Sequence, residues 1–313
     1  MRPLLAVLLI GVLQIAGCVL SCGATAPQPN DPPAPDPAPP ADQTGGFDGA
    51  RAFEHVRQLV NIGPRQSGTE GIRRAQEYII AQLQAFGCAV ETDEFIASTP
   101  VGPVPMKNIL AKIAGQSANI VMLLTHYDTL RKAGFVGAND GGSSTGLMLE
   151  MARLLCGRPR AFTIWIVFLD GEEAFVQWSD TDGTYGSRNL AARMALSGDL
   201  ARVKAVLLAD MVGDRELRYL RETNSTAWLV DLVWQTASRL GYGQIFVADP
   251  QTVEDDHTPF LRRGVPAVDV IELAEFAYWH TNQDTLDKLS PRSLAVTGHV
   301  FVESLAALEP RVR

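Results

Sequence analysis

Short, nearly unbroken apolar runs stop, one after another, at a carboxylate or a histidine. Residues 120–124 lead into Thr125-His126-Tyr127-Asp128. Residues 162–169 lead into Asp170-Gly171-Glu172-Glu173, and residues 203–209 end at Asp210. Runs of this length, bounded by turn residues, read as buried strands. Helix-periodic segments lie between them. Residues 69–86 place Ile72, Tyr78, Ile79, Leu83 and Phe86 on one face, with Thr69 as a plausible N-cap and Gly87 as a stop. Further helices are expected at 144–155, 228–240 and 290–308, and further strands at 89–95, 108–113 and 267–271. The alternation calls for an α/β fold with helices layered around one mixed sheet. In open sheets of this kind ligands bind outside the strand ends, where these polar residues recur.

The polar residues suit a metal-dependent site. Glu172 and Glu173 are adjacent, and two like charges at a strand end are costly. A cation on Glu173 and a proton or substrate amine on Glu172 would relieve that cost, making Glu173 a metal ligand and Glu172 a general acid/base. Asp140 sits in the Gly-rich turn Gly137-Ala138-Asn139-Asp140-Gly141-Gly142, Asp255-Asp256-His257 precede Thr258-Pro259-Phe260, and His280 follows Tyr278-Trp279.

These segments carry a resemblance. The run from Asp170 to Arg188, DGEEAFVQWSDTDGTYGSR, together with DDHTPFLRRGVPAVDVIE from Asp255 and Trp279-His280-Thr281, resembles the glutaminyl-peptide cyclotransferases. Those enzymes share the fold of co-catalytic zinc aminopeptidases. The resemblance covers roughly residue 51 to the C-terminus. His126-x-Asp128, Asp140, Glu172-Glu173 and His280 are common to both groups. The continuation through Trp178-Ser179 and Tyr185-Gly186-Ser187-Arg188 favours the cyclase.

The resemblance implies a three-layer α/β sandwich with a central, mostly parallel sheet of the zinc exopeptidase type. It implies Asp140, Glu173 and His280 as zinc ligands, with a non-proline cis peptide after Asp140. Glu172 becomes the proton carrier, with Asp210 and Asp255 in a carboxylate network around it. Trp178 and Trp279 become walls of the substrate pocket, with Val253 and Phe276 as lesser candidates; Arg188 reads as structural. His126 is either a ligand of a second metal, with Asp210, or part of the surrounding shell, and Asp128 orients a ligand. One zinc is expected, with a second left open. Asp256 and His257 are candidates to cap the following helix. The implied reaction converts the N-terminal Gln of peptides and proteins to pyroglutamate with release of ammonia. The alternatives are a zinc aminopeptidase on the same fold, or a lipid-anchored binding protein without catalysis. Animal members of the family carry a disulfide beside the metal, but the corresponding positions here are Thr125 and Thr145.

The N-terminus reads as a targeting segment. Met1-Arg2 supplies a positive start and residues 4–16 an apolar stretch. Ile15-Ala16-Gly17-Cys18 resembles a bacterial lipobox with Cys18 lipidated; Cys22 is a poorer site. The expected organisation is a signal peptide at 1–17, a lipidated Cys and disordered Pro/Ala-rich tether at 18–46, and a catalytic domain at 47–313. The expected protein is an exported, membrane-anchored monomer acting on Gln-bearing N-termini. A net charge of −8 gives nucleic acid no electrostatic foothold. Cys88 and Cys156 could pair in an exported protein, but they read better as two buried thiols ending different helices.

Overall fold

The computed structural model describes residues 36–312. The expected signal peptide, Cys18, Cys22 and the first part of the tether lie outside the described residues. In chain order the elements are α1 (Gly49–Ile62), α2 (Glu70–Ala85), β1 (Ala89–Thr99), β2 (Gly102–Ile113), β3 (Ser117–His126), α3 (Gly142–Leu155), β4 (Phe162–Leu169) and α4 (Tyr185–Ser197). Then follow β5 (Val203–Asp210), β6 (Tyr219–Glu222), α5 (Ala227–Arg239), β7 (Phe246–Gln251), α6 (Thr258–Leu261), β8 (Ala267–Ile271) and α7 (Pro291–Val312).

Six strands form one sheet in the order β1-β2-β4-β3-β5-β8. The hairpin β1/β2 and the pair β2/β4 are antiparallel, while β3/β4, β3/β5 and β5/β8 are parallel. β6 and β7 form a separate parallel pair. The central strands alternate strictly. Val121, Leu123, Ile164, Ile166, Ala205 and Leu207 face a large core shared with α1, α2, α3, α5 and α7. Met122, Leu124, Trp165, Val167, Val206 and Leu208 face a smaller core under α4 and α6. A period of two with both faces covered needs a continuous apolar run, and that is what these strands show in sequence. The result is the three-layer sandwich expected.

The connections create the site. From β3 the chain crosses to β4 on one side and later to β5 on the other. The strand order therefore reverses at β3, and a crevice opens beyond its C-terminal end. His126 ends β3, Asp170 follows β4 and Asp210 ends β5, so all three reach this crevice.

Two expectations are corrected. The tether does not run to residue 46. Ala41–Gln43 form a 3-10 turn, and Thr44 is fully buried with its hydroxyl donating to the Phe47 carbonyl at 2.6 Å. A polar side chain with an internal acceptor tolerates this burial. Cys88 and Cys156 are not two thiols but a disulfide, with Cα atoms 5.3 Å apart. The turn after α2 brings Cys88 against the end of α3, a juxtaposition invisible in the spacing of the two residues.

The candidate active site

Each proposed ligand is set by a hydrogen-bonded backbone rather than by its own side chain alone. Asp140 lies in the loop between β3 and α3. Asp284 holds that loop, accepting from the Asn139 N–H at 2.7 Å and the Asp140 N–H at 3.0 Å. Arg65, fully buried, donates to the carbonyls of Tyr127 (3.0 Å), Val136 (2.7 Å) and Gly137 (2.9 Å) on the same loop. The expected cis peptide after Asp140 is absent, and Gly141 instead turns the chain with φ of 76°. A Cβ there would lie 2.7 Å from the Asp128 carbonyl and 2.9 Å from the His126 ring, so only glycine fits.

Glu172 and Glu173 follow β4. Both of their N–H groups donate to the Asp128 carboxylate, at 3.1 and 3.2 Å. One aspartate thus orients both glutamates from behind, and it also lies 3.4 Å from His126 Nδ1. Thr125 and Thr145, at the positions of the missing bridge, both donate their hydroxyls to the His126 carbonyl, at 3.0 and 2.9 Å. His280 reaches in from the loop after β8, with a φ of 54°.

The side chains converge as two triads sharing Asp140. His280 Nε2 lies 3.3 Å from Asp140 and 3.4 Å from Glu173. His126 Nε2 lies 3.3 Å from Asp140 and 3.1 Å from Asp210. In each triad the ligand-type atoms fall within 4.8 Å of one another, close enough to share one cation. Glu173 Oε1 and Asp140 Oδ2 are buried and accept no hydrogen bond. Buried carboxylate oxygens without donors are costly, and a divalent cation supplies what they lack. A set of two carboxylates and an imidazole with room for a further ligand suits catalytic zinc.

Around the triads the carboxyls resist ionisation. Burial pushes the Glu172 carboxyl well above its ordinary range. Burial, then the charge of Asp210, raises Asp255 to about 7. Both line a cavity of about 430 Å³ with Asp140, Glu173, His280 and Asp210. Trp178 and Trp279 flank its mouth, 39% and 45% exposed, unusually open for indoles. Trp279 stacks on His280 with ring centroids 4.2 Å apart.

The lesser candidates divide. Val253 lines the cavity. Phe276 instead packs beneath it, in a small cluster with Met211, Val253 and Ile271. Arg188 is structural, donating to the Gly183 carbonyl and lying over the Tyr185 ring. His257 is the N-cap residue of α6, but no side-chain hydrogen bond caps that helix. Asp256 accepts from the Ser187 hydroxyl, and His257 Nε2 lies 3.3 Å from Glu222. Sequence reading missed Asp284, Asp182 and Arg65. Asp182 lies inside a quoted motif and Asp284 just past another, while Arg65 is far from any, and nothing in a lone Asp or Arg marks it as a clamp on backbone groups.

The model of peptidase family M28 matches residues 108–305. The chain belongs to that family. Within it, the protein is 32% identical over 278 residues to the glutaminyl-peptide cyclotransferase-like protein of Bos taurus, across 79% of this chain and 72% of the relative. Among solved structures it resembles the glutaminyl cyclase of an Acidobacteriales bacterium, with 39% identity and a TM-score of 0.80 over 92% of this chain and all of that one. It also resembles a Zn-dependent exopeptidase from Parabacteroides distasonis, with 25% identity and a TM-score of 0.76 over 83% of this chain and 98% of the other. This M28 chain is an enzyme with the zinc exopeptidase fold.

Proposed function

We propose that this M28 enzyme is a zinc-dependent acyltransferase that converts the N-terminal Gln of peptides and proteins to pyroglutamate, releasing ammonia. One observation carries the reading. A buried glutamate stands beside a metal-type triad, in a cavity flanked by two open tryptophans. Asp140, Glu173 and His280 would hold the zinc. When bound, the metal supplies a Lewis acid for the γ-carbonyl oxygen of the substrate.

The remaining chemistry belongs to the chain and the substrate. The substrate's own α-amine is the nucleophile, so no enzyme nucleophile is required. Its nitrogen bonds to Cδ, and the bond from Cδ to the amide nitrogen breaks. Glu172 takes the proton from the α-amine and returns it to the departing nitrogen, which leaves as ammonia. Burial favours the protonated form of Glu172, the form that returns the proton to the leaving nitrogen. Asp210 and Asp255 border the same space and favour a cationic amine there. Ring closure within one residue depends on a folded substrate, and Trp178 and Trp279 confine it.

The reading takes one zinc, in the triad with Glu173. All three of its residues line the cavity, whereas His126 is fully buried and already faced by three carboxylates. Mass spectrometry of a Gln-initiated peptide incubated with the purified protein tests the reaction: loss of ammonia is expected, and loss of a whole residue would mean an aminopeptidase. Metal analysis tests the count.

The reading extends to location. A signal peptide at 1–17 and a lipid on Cys18 would place the domain on the outer side of a membrane as a tethered monomer. The Cys88–Cys156 disulfide supports an oxidising compartment. Cys18→Ser should release the protein from the membrane fraction. If Cys22→Ser does so instead, the modified residue is Cys22.

A further inference from the structure

The two tryptophans at the cavity mouth are held by different means. Trp279 leans on His280. Trp178 stands on the loop between β4 and α4, and the residues that fix it lie on the far side of that loop. Ser179 and Asp182 exchange backbone hydrogen bonds, at 3.0 and 3.2 Å, so the chain doubles back just after Trp178. The Asp182 carboxylate then points into the loop it has closed. It accepts from the N–H groups of Phe175 (2.7 Å), Val176 (2.9 Å) and Gln177 (2.9 Å), and from the Tyr185 hydroxyl (2.8 Å).

Three consecutive N–H groups leading up to Trp178 therefore end on one buried carboxylate. These bonds hold Asp182 below the usual carboxylate range although burial opposes them. The next residue, Gly183, lies against the indole. A Cβ on Gly183 would meet Trp178 Cε3 and Cζ3 at 3.0 Å, and its φ of 134° is one that side chains rarely adopt. Neither Asp182 nor Gly183 lines the cavity.

We propose that Asp182 and Gly183 are positioning residues, which set the Trp178 indole as the wall that confines the substrate. Asp182 fixes the backbone that leads to Trp178, and the bare Gly183 Cα provides the seat for its ring. This rests on Trp178 serving the proposed cyclisation. The device acts chiefly on the Trp178 wall: Trp279 is stacked on His280, and the N–H groups of Glu172 and Glu173 are held by Asp128 rather than by Asp182.

A double-mutant cycle separates this role from a general structural one. Wild type, Asp182→Asn, Trp178→Ala and the double variant are compared on a Gln-initiated peptide. Asp182→Asn should lower kcat/KM by about 10- to 100-fold, the scale of a small misplacement, mainly through KM and with zinc content unchanged. In the Trp178→Ala background the same change should cost less than about twofold, because its route to the substrate is gone. Equal losses in both backgrounds would overturn the proposal. Gly183→Ala is the second variant and should show the same coupling. An activity-free readout stands beside the cycle. The Trp178 fluorescence, taken as wild type minus Trp178→Phe, should become more open to acrylamide quenching in Asp182→Asn; unchanged quenching would also overturn the proposal. If the wild type fails to cyclise Gln peptides, the functional reading falls, while the quenching still decides whether Asp182 seats the indole.

Discussion

Replacing Glu172 by Gln removes a proton carrier and leaves the shape of the cavity almost intact. Its backbone N–H keeps the Asp128 acceptor, and Glu173 is untouched. Folding and zinc content should therefore survive while turnover falls by about 10²-fold or more, as read from pyroglutamate formation. Asp284 makes a complementary case. It touches no substrate, but it holds the two N–H groups that carry Asp140. Asp284→Ala should weaken zinc affinity by about 10-fold or more, measured by competition with a chromogenic chelator. The two variants separate the roles that adjacent motifs confuse: one loses chemistry with its metal, the other loses metal.

At the level of elements, the disulfide and the end of β8 each make a prediction. The Cys88–Cys156 bond closes a loop with a sequence separation of 68. Replacing both cysteines by Ser should lower unfolding stability by about 4 kcal/mol on the chain-entropy account, measured in urea. Glu272, just past β8, gives a pH test. Burial, then the charge of Asp214, raises its carboxyl from 4.5 to about 9. Its Oε1 accepts from the Arg218 N–H at 3.2 Å and its Oε2 has no partner. A carboxyl raised in the folded state contributes stability that is complete below its unfolded pKa and is lost as pH rises through the folded one. Thermal stability should fall between about pH 4.5 and pH 9, and Glu272→Gln should flatten that slope. Legibility at this scale follows burial. β4 and β8 appear in the sequence with their true bounds because buried strands end where polar residues begin. The β1/β2 hairpin is longer than expected because its outer half carries Pro103 and Pro105 at exposed positions, and proline argues against a strand in sequence. β6 and β7 escaped notice because they are short and β7 is mostly exposed. In α4 only a few apolar side chains face the core, whereas the spacing of Ala52, Val56 and Leu59 in α1 was there to be read.

Across the whole molecule, the layered fold was legible in the buried apolar runs, and the set of Asp140, Glu173 and His280 in the motifs that carry the family resemblance, although Asp140 and His280 lie in loops. The clamps were not, since a carboxylate that binds backbone groups leaves no pattern in sequence. Nor was the disulfide, which depends on where two helices end in space. Removing a metal held by Asp140, Glu173 and His280 should be felt globally, because it would join segments from distant parts of the chain. Chelation should lower the melting temperature and speed proteolysis, and added zinc should reverse both. One consequence concerns α3. Asp140 lies just before its first residue and Cys156 just after its last. With a metal on Asp140 the helix would be a strut bolted at both ends, by a coordinate bond at one and by the disulfide at the other. The ring closed by the disulfide and the ring closed by a metal between Asp140 and His280 share this strut, so they are linked through it. Reductant and chelator applied together should then loosen the molecule more than the sum of their separate effects.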